Sequence, residues 1–410
     1  MIEVPVSMPS LSDRERSYLM DAFDSGWLSH GEYIAAAEKG IAKLVGVKHA
    51  ILVSNGTVAI ELALKALGIG PGDEVIVPSL TYFSTAAAVA NVGAVPVFID
   101  CDRFGCMSPV ETGKAITPRT KAILPVHLYG HPAAMSALRE IAVTFNLRTI
   151  EDCAEGHGAK YLDCPVGSLG DIGCFSYFGN KIITCGEGGA IVTDNHDIAD
   201  YARLLMGQGM SPQVKYLHPV LGRNWRLTNI QSAILLAQLE RFDSIFQQRL
   251  RVFEEYEEGL EGIPGISTQR VDTGMTRAPW LFSIFVSEYY GHPRDVLMAH
   301  LSEEGIDSRP YFLPLHTMPP FIRDCTSRRG YAADGMTEAD WRRFNSTYYP
   351  RTMKFSMQGM NLPTYPDLES ETIARICTVI REFAASPAQY DIDAIRERLR
   401  NDPITQLCRQ

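Results

Sequence analysis

The chain has 410 residues, 46% hydrophobic and 21% charged, with a formal net charge of −10. This balance excludes a disordered chain, supplies enough apolar material for cores without disulfide or metal staples, and suits about two or three domains. The acidity argues against a nucleic-acid partner, which needs a basic face, but leaves room for a local pocket that takes a small anion.

Ser12-Asp13-Arg14-Glu15 is a capping-box pattern and predicts a helix ending near Gly26; a second helical pattern covers 32–44. Strands and helices then alternate. Strands are predicted at 50–53, 74–77, 95–99, 122–126, 148–151, 174–176 and 190–193, with helices at 58–67, 84–92, 133–145 and 198–206. The strands are short, rich in Val and Ile, and show little polar alternation. That pattern predicts an α/β fold with a buried, mostly parallel sheet and helices on both faces. Residues 228–260 read as a long helical stretch with an interruption near Phe242. Beyond it, 264–285 reads as extended, 292–305 as helical, 309–321 as irregular and proline-rich, and 369–384 as a last amphipathic helix. A boundary near residue 250 divides a large domain, 1–250, from a smaller C-terminal α+β domain, 251–385; a charged appendage, 386–410, follows. The N-terminal segment is a candidate to pack on the smaller domain.

Residues 1–9 hold no basic stretch leading into an apolar run, so no secretory leader is expected. The most apolar stretch, 86–99, is interrupted by Asn91, Gly93 and Pro96 and falls short of the ~20 residues of a membrane span. The nine cysteines form no CxxC or Cys/His cluster. Reduced thiols, a cytoplasmic location, no metal and no membrane association are the expectations.

Three local patterns carry chemistry. Ser54-Asn55-Gly56-Thr57 follows a predicted strand and opens a helix, where free backbone N–H groups and the helix dipole suit an anion. Alone, it also suits an ordinary strand-to-helix turn. Asp152 ends the predicted strand 148–151, at the edge where open α/β sheets bind ligands, and a carboxylate there can pair with a positive ring nitrogen; a capping Asp is the plainer alternative. Lys181 stands among aromatic, glycine and small residues, with no other lysine from 161 to 214. A partly desolvated lysine has a lowered pKa and can form a Schiff base, whereas a solvated loop lysine does neither. All three sites fall at predicted strand ends, and together they point to one cofactor cleft.

On these residues the chain resembles the DegT/DnrJ/EryC1/StrS family of sugar aminotransferases, which depend on pyridoxal 5'-phosphate (PLP) and have the fold type I, aspartate aminotransferase-like architecture. The matching segments include Gly26-Trp27-Leu28-Ser29, 54–57, 68–78, 93–97, 151–159, 175–181, 184–189, 224–231, Gly305-Ile306-Asp307-Ser308-Arg309-Pro310 and Leu315-His316, within a resemblance spanning about residues 3–385. Phe178-Gly179-Asn180-Lys181, His316-Thr317-Met318-Pro319-Pro320 and Leu362-Pro363-Thr364-Tyr365 are similar to the GDP-perosamine synthase branch.

The resemblance implies roles. Lys181 would carry the cofactor as a Schiff base and act as general acid/base, and Asp152 would pair with the pyridinium nitrogen. Gly56, Thr57 and Ser176 would hold the phosphate, Tyr82 would stack on the ring, and Glu155 would sit near the ring hydroxyl. Asn224 would reach the phosphate from a neighbouring subunit, which makes the expected assembly a homodimer, or a multiple of one, with shared sites. His157, Arg309, His316, Trp27 and Ser29 are the candidates for substrate contact. The implied reaction moves an amino group from an amino acid donor, by family habit glutamate, to a keto sugar, most simply a nucleotide-linked one. A non-nucleotide natural-product ketone, a dehydration and a non-catalytic regulatory role are the alternatives; retention of Lys181, which some sugar dehydratases of the family replace with histidine, favours transamination. The stretch between Phe321 and Leu362 is longer than the family pattern needs and carries Arg328, Arg329, Arg342 and Arg343, which suits either contacts to an anionic acceptor or, more plainly, solvated surface decoration.

Overall fold

In the computed structural model, which describes residues 2–386, the first nine strands are β1 (His49–Val53), β2 (Glu74–Pro78), β3 (Val95–Ile99), β4 (Thr120–Ile123), β5 (Arg148–Asp152), β6 (Lys160–Tyr161), β7 (Cys164–Pro165), β8 (Ile172–Ser176) and β9 (Gly189–Thr193). Seven of them form a sheet in the order β1-β9-β8-β5-β4-β2-β3. The pairs from β8 to β3 are parallel, and β9 runs antiparallel to both of its neighbours. β2, β8 and β9 are buried along their whole length, which is why their sequences show apolar runs instead of alternation. β4 stops at Ile123, short of the predicted 126, because Pro125 has no N–H to continue the ladder.

The opening helix, Asp13–Asp24, has the predicted capping box between Ser12 and Glu15. The stretch 228–260 splits, as its pattern suggests, into helices Asn229–Glu240 and Phe242–Leu260. The remaining strands are β10 (Ile266–Thr268), β11 (Met275–Thr276), β12 (Phe282–Val286), β13 (Arg309–Pro310) and β14 (Gly359–Leu362). β10-β12-β14-β13 form an antiparallel sheet, and β11 joins β6 and β7. The last helix is Ser370–Ala384. The appendage expected at 386–410 lies, apart from Ser386, outside the described residues.

Two hydrophobic cores result, and helix Phe242–Leu260 serves both. Phe242, Ile245 and Phe246 pack with the seven-stranded sheet, while Val252, Phe253, Tyr256 and Leu260 pack with Phe282, Ile284 and Leu362 of the antiparallel one. Val4 joins the second core through a bridge to Ile306.

Residues 319–358, where the sequence pattern predicts no helix, form helices Pro319–Ser327, Glu338–Tyr348 and Pro350–Gln358. The second opens with a capping box between Thr337 and Asp340. Although they lie late in the chain, their apolar residues Phe321, Cys325, Phe344 and Tyr349 pack into the first core. Tyr349 donates to the Phe98 carbonyl at 3.2 Å, and the backbone N–H groups of Arg351 and Thr352 reach Asp100.

Candidate active site

The carboxyl ends of β1, β2, β5 and β8 point the same way, so the turns that follow them converge. They enclose a cavity of about 510 Å³ lined by Gly56, Thr57, Tyr82, Asp152, Glu155, Ser176 and Lys181. Every residue implied for the cofactor, Asn224 excepted, thus lines one space.

Helix Gly56–Ala66 opens at one wall. Its N-cap, Asn55, accepts the Val58 N–H at 2.9 Å, and the N–H groups of the first turn have no carbonyl one turn earlier to bond. Glycine at 56 is a packing requirement: a Cβ there would stand 2.7 Å from the Ser176 Cβ. A Cβ at Gly189 would stand 2.4 Å from the Asn55 carbonyl oxygen. The turn therefore lies directly on the strand ends. The Thr57 hydroxyl donates to Ser84 at 2.8 Å.

Asp152 is buried opposite. Its carboxylate accepts the Thr85 hydroxyl at 2.8 Å and the Ala154 N–H at 3.1 Å. Burial raises its pKa, against the pull of these hydrogen bonds and of Lys181. Glu155 accepts the Tyr129 N–H at 2.6 Å, and burial pushes its carboxyl upward while Lys181 opposes. Burial pushes Lys181 downward, with Glu155 and Asp152 restoring part of the charge. A buried amine whose pKa is lowered, beside two carboxylates, is suited to covalent capture of a carbonyl and to moving protons.

Trp280 has no counterpart in the sequence reading. Its ring lies 4.1 Å from Lys181 Nζ, its indole N–H donates to the Asn180 carbonyl at 2.8 Å, and its own carbonyl accepts from the buried Arg249 at 2.8 Å. It forms a wall between the first cavity and a second of about 400 Å³, lined also by Tyr82, Arg309, Phe312, Leu313 and Leu315. The second cleft is thus mainly apolar and aromatic, with Arg309 at its edge, ion-paired to Asp307 at 2.7 Å. Thr85 was missed as well; the only signal was the polar pair Ser84-Thr85 in an otherwise Ala-rich helix.

Several expected contacts fall elsewhere. His316 is fully buried, with Nδ1 at 2.6 Å from the Ser79 hydroxyl and Nε2 at 3.1 Å from Asn345 Oδ1, so neither nitrogen is presented to a ligand. His157 is buried against Phe175 and Tyr177 and lines neither cleft; burial pushes its pKa down to about 3, and neither ring nitrogen has a hydrogen-bond partner among the described residues. Trp27, 67% exposed, and Ser29 lie on the surface outside both clefts. Asn224 is also exposed and outside this chain's own cavity. The arginines of the long stretch are engaged without reaching either cleft. Arg328 pairs at 2.9 Å with the buried Glu74, which Arg119 and Thr117 also hold; Arg342 pairs with Glu338; and Arg329 lies over the Tyr348 ring. Glu74 starts β2, at the opposite end of the strand from the cavity.

Behind Asp152, His127, Glu151 and Cys153 cluster in the core. His127 Nδ1 accepts the Ala133 N–H, which leaves Nε2 to donate to Glu151 at 3.0 Å. Glu151 also accepts the N–H groups of Gly167, Leu169 and Gly170. Its lone pairs are used, and the cluster is a brace that fixes the end of β5.

Residues 9–381 match the DegT/DnrJ/EryC1/StrS aminotransferase family. A GDP-perosamine synthase from Caulobacter vibrioides is 42% identical over 380 residues, covering 92% of this chain and 97% of its own. A dTDP-3-amino-3,4,6-trideoxy-alpha-D-glucose transaminase from Streptomyces venezuelae is 38% identical over 365 residues, covering 88% and 89%. Among solved structures, S. venezuelae DesV in complex with a ketimine intermediate matches with a TM-score of 0.81 at 35% identity, over 94% of this chain and 100% of the other. The chain belongs to the DegT/DnrJ/EryC1/StrS family and is an aminotransferase of its fold.

Proposed function

We propose that this family member moves an amino group from an amino acid, by family habit glutamate, to a nucleotide-linked keto sugar, with PLP held at Lys181. The observation that carries the reading is the buried Lys181 beside Asp152 and Glu155, facing a glycine-tight helix start across one cavity. The residues fit the cofactor. The first turn at Gly56 and Thr57, with Ser176, suits its phosphate; Asp152 suits its ring nitrogen; Tyr82 is free to cover its ring; and Glu155 stands near enough to Lys181 to serve the ring hydroxyl. When bound, PLP supplies an electron-poor ring that accepts the charge left when a proton is lifted from the adjoining carbon.

The chain does the rest. Lys181 holds the cofactor covalently and, once released by the donor, takes and returns a proton at Nζ. Asp152, fixed by Thr85 and the brace behind it, keeps the ring nitrogen protonated. The apolar walls of Trp280 and Phe312 limit water around Nζ. The second cleft adjoins this point, and its aromatic lining with one arginine suits a base and a phosphate, as the substrates in the relatives' names suggest.

Residues 1–250 and 251–385 are read as two domains, each built around one of the two cores that meet in helix Phe242–Leu260, with 319–358 packed across on the first core and Val4 on the second. The active form is read as a homodimer with shared sites, supported by Asn224, which is exposed and turned to no cleft of its own chain. A cytoplasmic location accords with the free state of the eight described cysteines; no helix among the described residues is long and apolar enough to cross a membrane.

Borohydride reduction of the holoenzyme followed by peptide mapping tests the anchor: label on Lys181 is expected, and label on another lysine overturns it. Glutamate is then expected to convert the bound cofactor to its amine form. A screen of nucleotide-linked and free keto sugars against that form identifies the acceptor, and turnover only of free ketones refutes the nucleotide-linked reading. Mixing Lys181→Ala with an Asn224→Ala chain is expected to restore partial activity through hybrid dimers; none in demonstrated hybrids refutes the shared site.

A further inference from the structure

The second cleft takes seven of its sixteen lining residues from one segment, 309–318, irregular beyond β13, among them Arg309, Phe312, Leu313, Leu315 and Met318. Such a loop keeps one shape only if something outside it holds it. β14 holds its start, by pairing with Arg309 and Pro310 and through the Tyr311 N–H to the Gly359 carbonyl at 2.9 Å; beyond that its anchors lie at Leu315 and His316. The Leu315 N–H donates to the Ser79 carbonyl at 2.8 Å, and the His316 N–H donates to the Ser79 hydroxyl at 3.2 Å. Asn345 Oδ1, which faces Nε2, can only accept, so Nδ1 is the bare nitrogen of the neutral ring and accepts the Ser79 hydroxyl, 2.6 Å away. Nε2 must then carry the ring hydrogen and donate to Asn345 Oδ1 at 3.1 Å. The imidazole also stacks on Tyr349, with centroids 3.7 Å apart and planes at 12°.

Asn345 lies in helix Glu338–Tyr348, one of the helices that lengthen this part of the chain, and Tyr349 follows directly. The chain Ser79–His316–Asn345 therefore ties three separate pieces: the end of β2, the lining loop and the added helices. Nothing in the cofactor cleft shares these bonds. Lys181 is held by the Phe178 turn and Trp280, and Asp152 by Thr85 and Ala154.

We propose that Asn345 is a positioning residue for the acceptor: through His316 it fixes segment 309–318 in the shape that gives the second cleft its affinity for the keto substrate. The inference rests on the reading of that cleft as the acceptor site. It also assigns the additional helices a function, as the outer support of that loop.

The test uses holoenzyme carrying Asn345→Leu, similar in volume but without an acceptor, and Asn345→Asp, which keeps one. Hydrogen–deuterium exchange at 309–318 is expected to speed up about tenfold in Asn345→Leu, the effect of one lost buried hydrogen bond, while exchange at 175–189 stays unchanged. The affinity for GDP or dTDP, measured by calorimetry, or the KM of the acceptor found by the screen, is expected to weaken about tenfold, with the glutamate half-reaction within about twofold. Asn345→Asp is expected to restore both. Unchanged exchange at 309–318, equal acceleration in both segments, or faster exchange without weaker acceptor binding overturns the proposal. Failure of the wild type to bind either nucleotide overturns only the nucleotide-linked reading, and the KM of the identified ketone then decides on Asn345. Should Asn345→Leu not fold, Ser79→Ala cuts the same chain at its other end and is expected to give the same pattern.

Discussion

The two adjoining clefts are built by opposite means. The one around Lys181 collects short motifs, each following a strand of one parallel sheet, so the sheet itself brings them together. The one around Phe312 and Arg309 takes seven of its sixteen lining residues from a single segment, 309–318, which His316 ties to a helix packed from outside. On the proposed reading, chemistry sits on the stiffest part of the fold and recognition partly on a loop, with Tyr82, Trp280 and Phe312 shared by both clefts.

Substitutions can break or sharpen this contrast. Lys181→Ala is expected to lower turnover about 10⁴-fold or more and to remove the visible absorbance of lysine-bound cofactor, with the circular dichroism unchanged. Retained absorbance would remove Lys181 from its role. Asp152→Asn is expected to leave some cofactor bound and slow both half-reactions about 10²–10³-fold, as for loss of one preorganised electrostatic partner. A loss confined to the acceptor half-reaction would contradict the division between the clefts. Arg328→Ala leaves the buried Glu74 with less compensation and is expected to cost about 1–3 kcal/mol in urea unfolding, with acceptor KM nearly unchanged. A large KM effect instead would revive the arginines as acceptor ligands. Trp280→Leu removes a ring that favours the charged lysine by about 0.5–2 kcal/mol. The lysine pKa, already lowered by burial, then falls further, so the limb of the pH–rate profile that reports it is expected to move to lower pH by up to about 1.5 units. A shift to higher pH would deny the contact its influence.

The acceptor arginines show how a sequence argument fails. Arg328 is close in sequence to the lining loop, yet its guanidinium pairs at the start of β2, while both clefts sit beyond the other end. Five strand residues span roughly 17 Å, so closeness in sequence did not carry over to space.

From sequence alone, the alternation of apolar strands and amphipathic helices determined the α/β architecture, and local motifs marked Lys181, Asp152 and the Gly56 turn as candidates that the fold brings to one cavity, because each needs only its own strand end to be in position. Tertiary structure alone decided Trp280, which lies 100 residues from the Asn180 it bonds, the burial of His316 on Ser79, 237 residues earlier, and the packing of 319–358 on the first core. A turn after a strand is fixed by short-range sterics and capping, whereas a partner brought in from another element depends on how whole layers pack, and no local pattern in the chain records that.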